Sequence, residues 1–419
     1  MRAIINTIKK KILVGRLKAI SVVTIYTLRQ WLFSPLTKIV GLNMLTQEDV
    51  LARKDKYQVL SFDSSETVIA DEPHENPDEI PQVICRHSGV IHFSKPFVFE
   101  VVNARLVSFA AVGFDEVGNL IAETFPGMGN IKRSLPTQAL IWKSLPQRKA
   151  LQLETAYSLV NWRSKNYYHW ITDCLIRLKG LEHYREQTGK KPVLVIQSNP
   201  PSWQVESLRL LGYEPKDCIE WKAPSVKVKN LVVASARRER RMPSPSACLW
   251  LREQMLSNLP PSNNEQRFAS RIYISRANAV GRKAANEDEV TAALTPYGFK
   301  AYILEKLSFA DQVRLFSQAE IVVATHGAGL VNMIFAQKKL TVIELFDPFL
   351  TPDYFLLAKA LGFEYKVLRA GKKTQFDYSK KFNDVSVDIA KLQALVTRLL
   401  DTSNSWSVAQ ERQSVNSIS

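Results

Sequence analysis

Cysteine is scarce in this chain, and so are the patterns that build metal centres. Four cysteines, Cys85, Cys174, Cys218 and Cys248, lie scattered without a C-x-x-C pair, and there are only six histidines in 419 residues. That spacing excludes a disulfide framework and a Cys/His zinc site, and it reads as free or buried thiols in a reducing compartment. No Gly-x-Ser-x-Gly occurs, which removes the nucleophile elbow of an α/β-hydrolase. Walker A and His-Glu-x-x-His are missing, and so is the Asp-x-Asp that would bridge a divalent cation to phosphate. Long apolar runs are missing from the N-terminal arm as well. Its uncharged stretch Ala19–Leu28 has ten residues, against roughly 20 needed to cross a bilayer. No signal-peptide cleavage pattern is present, so the expectation is a soluble or peripheral protein, cytoplasmic or on the inner face of a membrane.

Acidic residues are outnumbered: 56 Lys and Arg face 40 Asp and Glu, for a net charge of +16. The imbalance is concentrated at the start. Arg2, Lys9, Lys10, Lys11, Arg16, Lys18, Arg29 and Lys38 all precede the first acid, Glu48. An anionic membrane surface suits this arm better than nucleic acid, because no nucleic-acid-binding module is recognisable.

What is present is a hydrophobic content of 46% over a chain long enough for two or three cores. The stretch Ile321-Val322-Val323-Ala324-Thr325-His326-Gly327-Ala328-Gly329-Leu330-Val331-Asn332 reads as a buried strand, a tight turn and a helix start. Glycines there would let backbone approach a ligand, and a helix N-terminus favours a phosphate. A dinucleotide fingerprint needs a third glycine where Asn332 stands, so that motif is not met.

Around this stretch the pattern is of the α/β class. Residues 1–47 form a basic amphipathic arm, and 48–141 are β-rich, with a hairpin turn expected at Asp115–Asn119 and strand-like runs that include Gln82–Ile84. Two blocks of alternating strands and helices follow at 142–262 and 263–401, and a Ser-rich tail, 402–419, is expected to be disordered. Arg237, Arg238, Arg240 and Arg241 read as a solvated basic loop that could also face an anion.

Within the first block, His169, Asp173 and Arg177 recur at i, i+4 and i+8, which on one continuous helix sets a histidine, a carboxylate and an arginine on one face. Such a trio is either a helix salt bridge between Asp173 and Arg177 or a catalytic pair in which the carboxylate orients the imidazole or is itself the base.

Taken in order, Asn166-Tyr167-Tyr168-His169-Trp170…Asp173, Ile274-Ser275-Arg276, Asn286-Glu287, His326-Gly327-Ala328-Gly329-Leu330…Asn332 and Val342-Ile343-Glu344 resemble glycosyltransferase family 61. The resemblance implies an inverting transferase with two Rossmann-like domains of GT-B type facing a central cleft, the donor held by the second domain and the acceptor by the first. It implies a nucleotide-sugar donor, a glycan or lipid-linked glycan acceptor, a role in capsular or other cell-surface polysaccharide synthesis, and no metal or other cofactor. His326, Gly327, Ala328, Gly329 and Asn332 are then expected to meet the donor, Arg276 its diphosphate, and Glu344 its ribose. Asp173 and His169 are the candidate bases, Asp173 taken as base with His169 on the sugar, and Tyr167, Tyr168 and Arg177 are the acceptor side. The alternative is a non-catalytic protein that binds a nucleotide sugar or an anionic polymer.

Overall fold

The computed structural model describes residues 43–73, 80–125, 151–222, 225–261, 268–347, 349–370 and 382–401. The basic arm up to residue 42 and the tail from 402 lie outside these, so the membrane and disorder expectations fall on undescribed residues. Among the described residues no helix is long and apolar enough to cross a membrane.

Two sheets organise the chain. The first has nine strands. Its long central strand Ser225–Ala234 pairs antiparallel with Phe97–Val107 on one side and parallel with Leu151–Ser158 on the other. Parallel pairing continues to Val193–Gln197 and Cys218–Trp221. On the antiparallel side come Val112–Phe114 and Leu120–Ile121, joined by the expected turn, in which the Asp115 carboxylate accepts from the Gly118 and Asn119 N–H groups. The β-rich stretch and the first alternating block therefore share one hydrogen-bonded sheet. Gln82–Ile84 departs from expectation: residues Gln82–Cys85 form one helical turn after Pro81, whose fixed φ suits a helix entry.

The second sheet has five strands, all parallel, in the spatial order Phe299–Tyr302, Arg271–Ile274, Ile321–Thr325, Thr341–Phe346, Glu364–Arg369. In chain order this is 2-1-3-4-5, the flavodoxin-like doubly wound arrangement, whose switch point lies between its first and third strands. The strand Ile321–Thr325 is buried at every position, as its largely apolar run without alternation requires in a sheet covered on both faces. The helix Phe309–Ser317 before it starts on Ser308, whose hydroxyl accepts from the Asp311 N–H at 3.0 Å. Residues 389–401 form the last helix. All four cysteines are free, with Cys174 and Cys248 buried.

The two sheets touch through side chains that name the site. The Tyr167 hydroxyl donates to Asn332 Oδ1 at 2.7 Å, and Asn332 Nδ2 donates to Gln312 at 2.9 Å. Arg238 and Arg241 reach across to Asp353 at 2.9 and 2.6 Å.

Candidate active site

Beyond the carboxyl ends of its strands, each sheet places a histidine paired with a carboxylate. Open α/β sheets take ligands beyond the carboxyl ends of strands, where neighbouring strands send the chain in opposite directions. In the second sheet that place is between Arg271–Ile274 and Ile321–Thr325, and Arg276 and His326-Gly327 follow those two strands. In the first it is between Leu151–Ser158 and Ser225–Ala234, which lead to Arg163, His169 and Asp173 on one side and to Arg237 and Arg238 on the other.

The segment 167–188 is not one helix. Tyr167–His169 is α-helical, Trp170–Cys174 is a wider π turn, Leu175–Arg177 a tighter 3-10 turn, and only Leu178–Thr188 is regular α-helix. The entry is capped by Asn166, whose side chain accepts from the His169 N–H. The π turn preserves the contact between positions 169 and 173: His169 Nδ1 lies 2.7 Å from Asp173 Oδ2. It then turns Arg177 away from that face. Arg177 is buried and donates to the Ala234 carbonyl at 2.9 Å, while its own carbonyl accepts from the Tyr157 hydroxyl. Neither the Asp173–Arg177 salt bridge nor an acceptor-side role for Arg177 holds. Mid-helix π turns concentrate at functional sites.

Asp173 is instead gripped by Arg238, 65 residues on, with Nη1 2.7 Å from its Oδ1. Burial alone would raise the Asp173 carboxyl; Arg238, with the hydrogen bond and charge of His169, outweighs it and holds the group well below the usual carboxylate range. A carboxylate so stabilised is a poor base. His169 is better placed. Arg163 Nη1 lies 3.3 Å from its Nε2, and a guanidinium can only donate, so Nε2 is the accepting nitrogen and the proton sits on Nδ1, toward Asp173. An imidazole with its Nδ1 proton on a carboxylate and Nε2 unprotonated, here accepting from Arg163, has the tautomer of a general base.

The Arg237–Arg241 stretch is a solvated loop only in part: Arg240 and Arg241 are exposed, but Arg237 and Arg238 are drawn inward. Arg237 is buried and binds Asp63, Glu66, Ser244 and Ser246. Arg238 holds Asp173 and Asp353 together and donates to the Tyr168 hydroxyl at 3.1 Å. No local sequence signal could have shown these pairings, because every carboxylate involved is more than 60 residues away.

On the second sheet His326 is 4% exposed and its Nδ1 meets Glu344 Oε1 in a short hydrogen bond. Glu344 is 0% exposed, and its other oxygen accepts from the Tyr365 hydroxyl at 2.7 Å. A carboxylate with both oxygens committed and no surface is not free for ribose; it orients His326. Asn332 is equally buried and spent on Tyr167 and Gln312, so it and Tyr167 tie the sheets together rather than bind donor or acceptor. Tyr167 also packs edge-on against Trp203 and Phe309.

The turn at His326 also differs in detail. A 3-10 helix, Ala328–Phe335, follows, and Gly327 is extended, with φ −171°. Gly327 is required by close approach: a Cβ there would sit 2.1 Å from Arg276 Nη1. Gly329 makes room for Leu304, whose Cδ1 would lie 2.6 Å from an added Cβ. Arg276 is braced by the carbonyls of Gly281 and Arg282, at 3.0 and 3.1 Å, and so presents Nη1 over Gly327. Arg282 itself has φ 59°, an uncommon left-handed backbone for an arginine, and its carbonyl also accepts from the Thr325 hydroxyl. Burial lowers the pKa of both arginines, and Arg282 pushes that of Arg276 down further. Two half-buried guanidiniums therefore lie at this switch point.

The two histidine pairs are linked by side-chain contacts. Tyr168 stacks edge-on with His169 and with Tyr354, at 5.3 and 5.6 Å between ring centres, and Tyr354 does the same with His326 at 5.2 Å. Beside the rings, polar contacts run from Asp173 through Arg238, Asp353 and Thr351 to His326.

Both histidine pairs fall largely in the stretch 167–343, which a family model, Glycosyltransferase 61, matches. That stretch is a glycosyltransferase 61 domain. Similar to this chain are the protein O-linked-mannose β-1,4-N-acetylglucosaminyltransferase 2 of Xenopus tropicalis, 34% identical over 101 residues, covering 23% of this chain and 18% of that protein. Its counterpart in Homo sapiens is 45% identical over 59 residues, 14% of this chain and 10% of that one. The EGF domain-specific O-linked N-acetylglucosamine transferase of Bos taurus is 29% identical over 146 residues, covering 31% and 28%. In each case the match spans less than a third of the relative's length.

Proposed function

We propose that this protein is a glycosyltransferase that moves a sugar from a nucleotide-sugar donor to a glycan acceptor by direct displacement with inversion, its two sheets acting as the two halves of a GT-B arrangement. The observation that supports this reading is the His169–Asp173 pair, with Nε2 the unprotonated nitrogen, linked through Tyr168 and Tyr354 to His326, Gly327 and Arg276.

In the step so assigned, His169 Nε2 takes the proton of the acceptor hydroxyl. The hydroxyl oxygen bonds to the anomeric carbon, and the bond to the donor diphosphate breaks with its electron pair leaving on the diphosphate. Asp173 holds the imidazole and stabilises the imidazolium that forms. Arg276 and Arg282 face the leaving group, whose charge grows as it departs, which is where fixed cations lower a barrier most. Metal independence belongs to the same proposal, because those guanidiniums carry the charge that a divalent ion otherwise supplies. A role in capsular or other cell-surface polysaccharide synthesis follows from the family resemblance.

The similar proteins are named for N-acetylglucosamine transfer, so UDP-N-acetylglucosamine heads a panel of nucleotide sugars to be tested by thermal stabilisation, with and without EDTA. One donor is expected to raise the melting temperature equally in both conditions. Stabilisation that disappears with EDTA would overturn the assignment of the diphosphate to arginine, and a panel in which nothing binds would overturn the transferase reading.

A further inference from the structure

The indole of Trp162 is 40% exposed, and it is the one exposed tryptophan among the described residues. It lies beside the candidate base. The Arg163 guanidinium sits 3.9 Å over the Trp162 ring and 3.3 Å from His169 Nε2, so indole, guanidinium and imidazole follow one another in space. Arg163 has no carboxylate partner among the described residues; its one side-chain hydrogen bond there is the contact to His169. That leaves its Nε–Nη2 edge, the fork that fits a carboxylate or phosphate with two parallel bonds. Around it the charges do not cancel. Arg163, Arg238 and Arg241 share the neighbourhood with Asp173 and Asp353, and both aspartates are already held by Arg238.

We propose that Trp162 and Arg163 form the acceptor subsite, and that it selects a sugar carrying an anionic substituent, the carboxylate of a uronic acid or a phosphate, next to the hydroxyl that is glycosylated. This rests on the transferase reading and gives it an acceptor class. The apolar face of the sugar covers the exposed indole, a common means of ordering a pyranose on a protein surface. Its oxyanion takes the free edge of Arg163. Drawing the guanidinium toward that anion uncovers Nε2 of His169 for the neighbouring hydroxyl, so the base is exposed when the correct acceptor is in place.

The test is direct binding by ligand-observed NMR on the full chain. The probes are methyl β-glucuronide, methyl β-galacturonide and glucose 6-phosphate, each against its neutral parent, with inorganic pyrophosphate as a separate arm. At least one anionic sugar is expected to bind about tenfold more tightly than its parent. Arg163→Gln is expected to remove that preference while leaving the neutral sugar unchanged, and Trp162→Ala to weaken both. Trp162 is exposed and Arg163 half-buried, and unchanged melting temperatures confirm folding. Equal binding of anionic and neutral sugars by the wild type overturns the proposal. So does an Arg163→Gln variant that loses pyrophosphate instead, because Arg163 then serves the leaving group. Donor turnover is not read in this experiment, so a failed acceptor assignment is distinct from a failed transferase reading.

Discussion

Arg238 is the residue on which the His169–Asp173 site depends. Its guanidinium satisfies two buried carboxylates at once, Asp173 and Asp353. Burial would raise both; Arg238 is the largest influence that lowers each. A carboxyl whose folded pKa is depressed contributes stability at pH values above its unfolded value of 3.8, and that contribution is lost as pH falls through the folded pKa. Arg238→Met leaves Asp173 held by His169 and Thr172 and Asp353 by Arg241 and Thr351, each short of its charged hydrogen bond to Arg238, and is expected to destabilise the protein by ~1–3 kcal/mol at pH 7. The deficit should shrink below about pH 4, where protonation removes the charge that needed a partner. Urea denaturation at the two pH values measures it. An equal deficit at both would mean that Arg238 contributes packing, not charge.

Among the elements, the turn after Ile321–Thr325 separates two uses of glycine. Alanine at 327 meets the end of a flexible arginine, so Gly327→Ala is expected to displace Arg276 and weaken pyrophosphate binding about tenfold or more while the melting temperature barely moves. At 329 the added carbon meets Leu304, a core side chain, so Gly329→Ala is expected to cost about 1–3 kcal/mol of stability, with pyrophosphate affinity largely kept in the folded fraction. Calorimetry with pyrophosphate and thermal melts distinguish the two; the reverse pattern would mean that Arg276 is not the anion ligand. The strand and turn were legible because a buried parallel strand must be apolar throughout and a tight connection needs small residues. The π turn was not. Its signature is a shifted backbone hydrogen bond, which leaves the i, i+4 pair His169–Asp173 readable but sends Arg177 into the interior. The burial of Asn332 and Glu344 was not legible for a related reason: a polar residue near a glycine turn looks the same in sequence whether it is open to solvent or held by a buried partner.

Over the whole molecule, the strands of the five-stranded sheet followed from alternation of apolar strands and amphipathic helices, whereas their spatial order did not. The continuity of the nine-stranded sheet did not, because antiparallel pairing of Phe97–Val107 with Ser225–Ala234 joins residues far apart in sequence. The same distance hid the contacts that bring the two histidine pairs together: Tyr167 to Asn332, Tyr168 to Tyr354, and Arg238 and Arg241 to Asp353. This junction gives the account its central claim, that His169 is the base and that the donor binds independently of it across the Tyr168–Tyr354 contact. The most direct measurement is single-turnover sugar transfer by His169→Ala and Asp173→Asn, with donor affinity measured on the same samples. His169→Ala should keep wild-type donor affinity and lose transfer by about a hundredfold or more, as removal of a general base does. Asp173→Asn should lose less, because the imidazole stays in place without its charged support. If Asp173→Asn is inactive while His169→Ala still transfers sugar, the carboxylate is the base and the assignment is wrong.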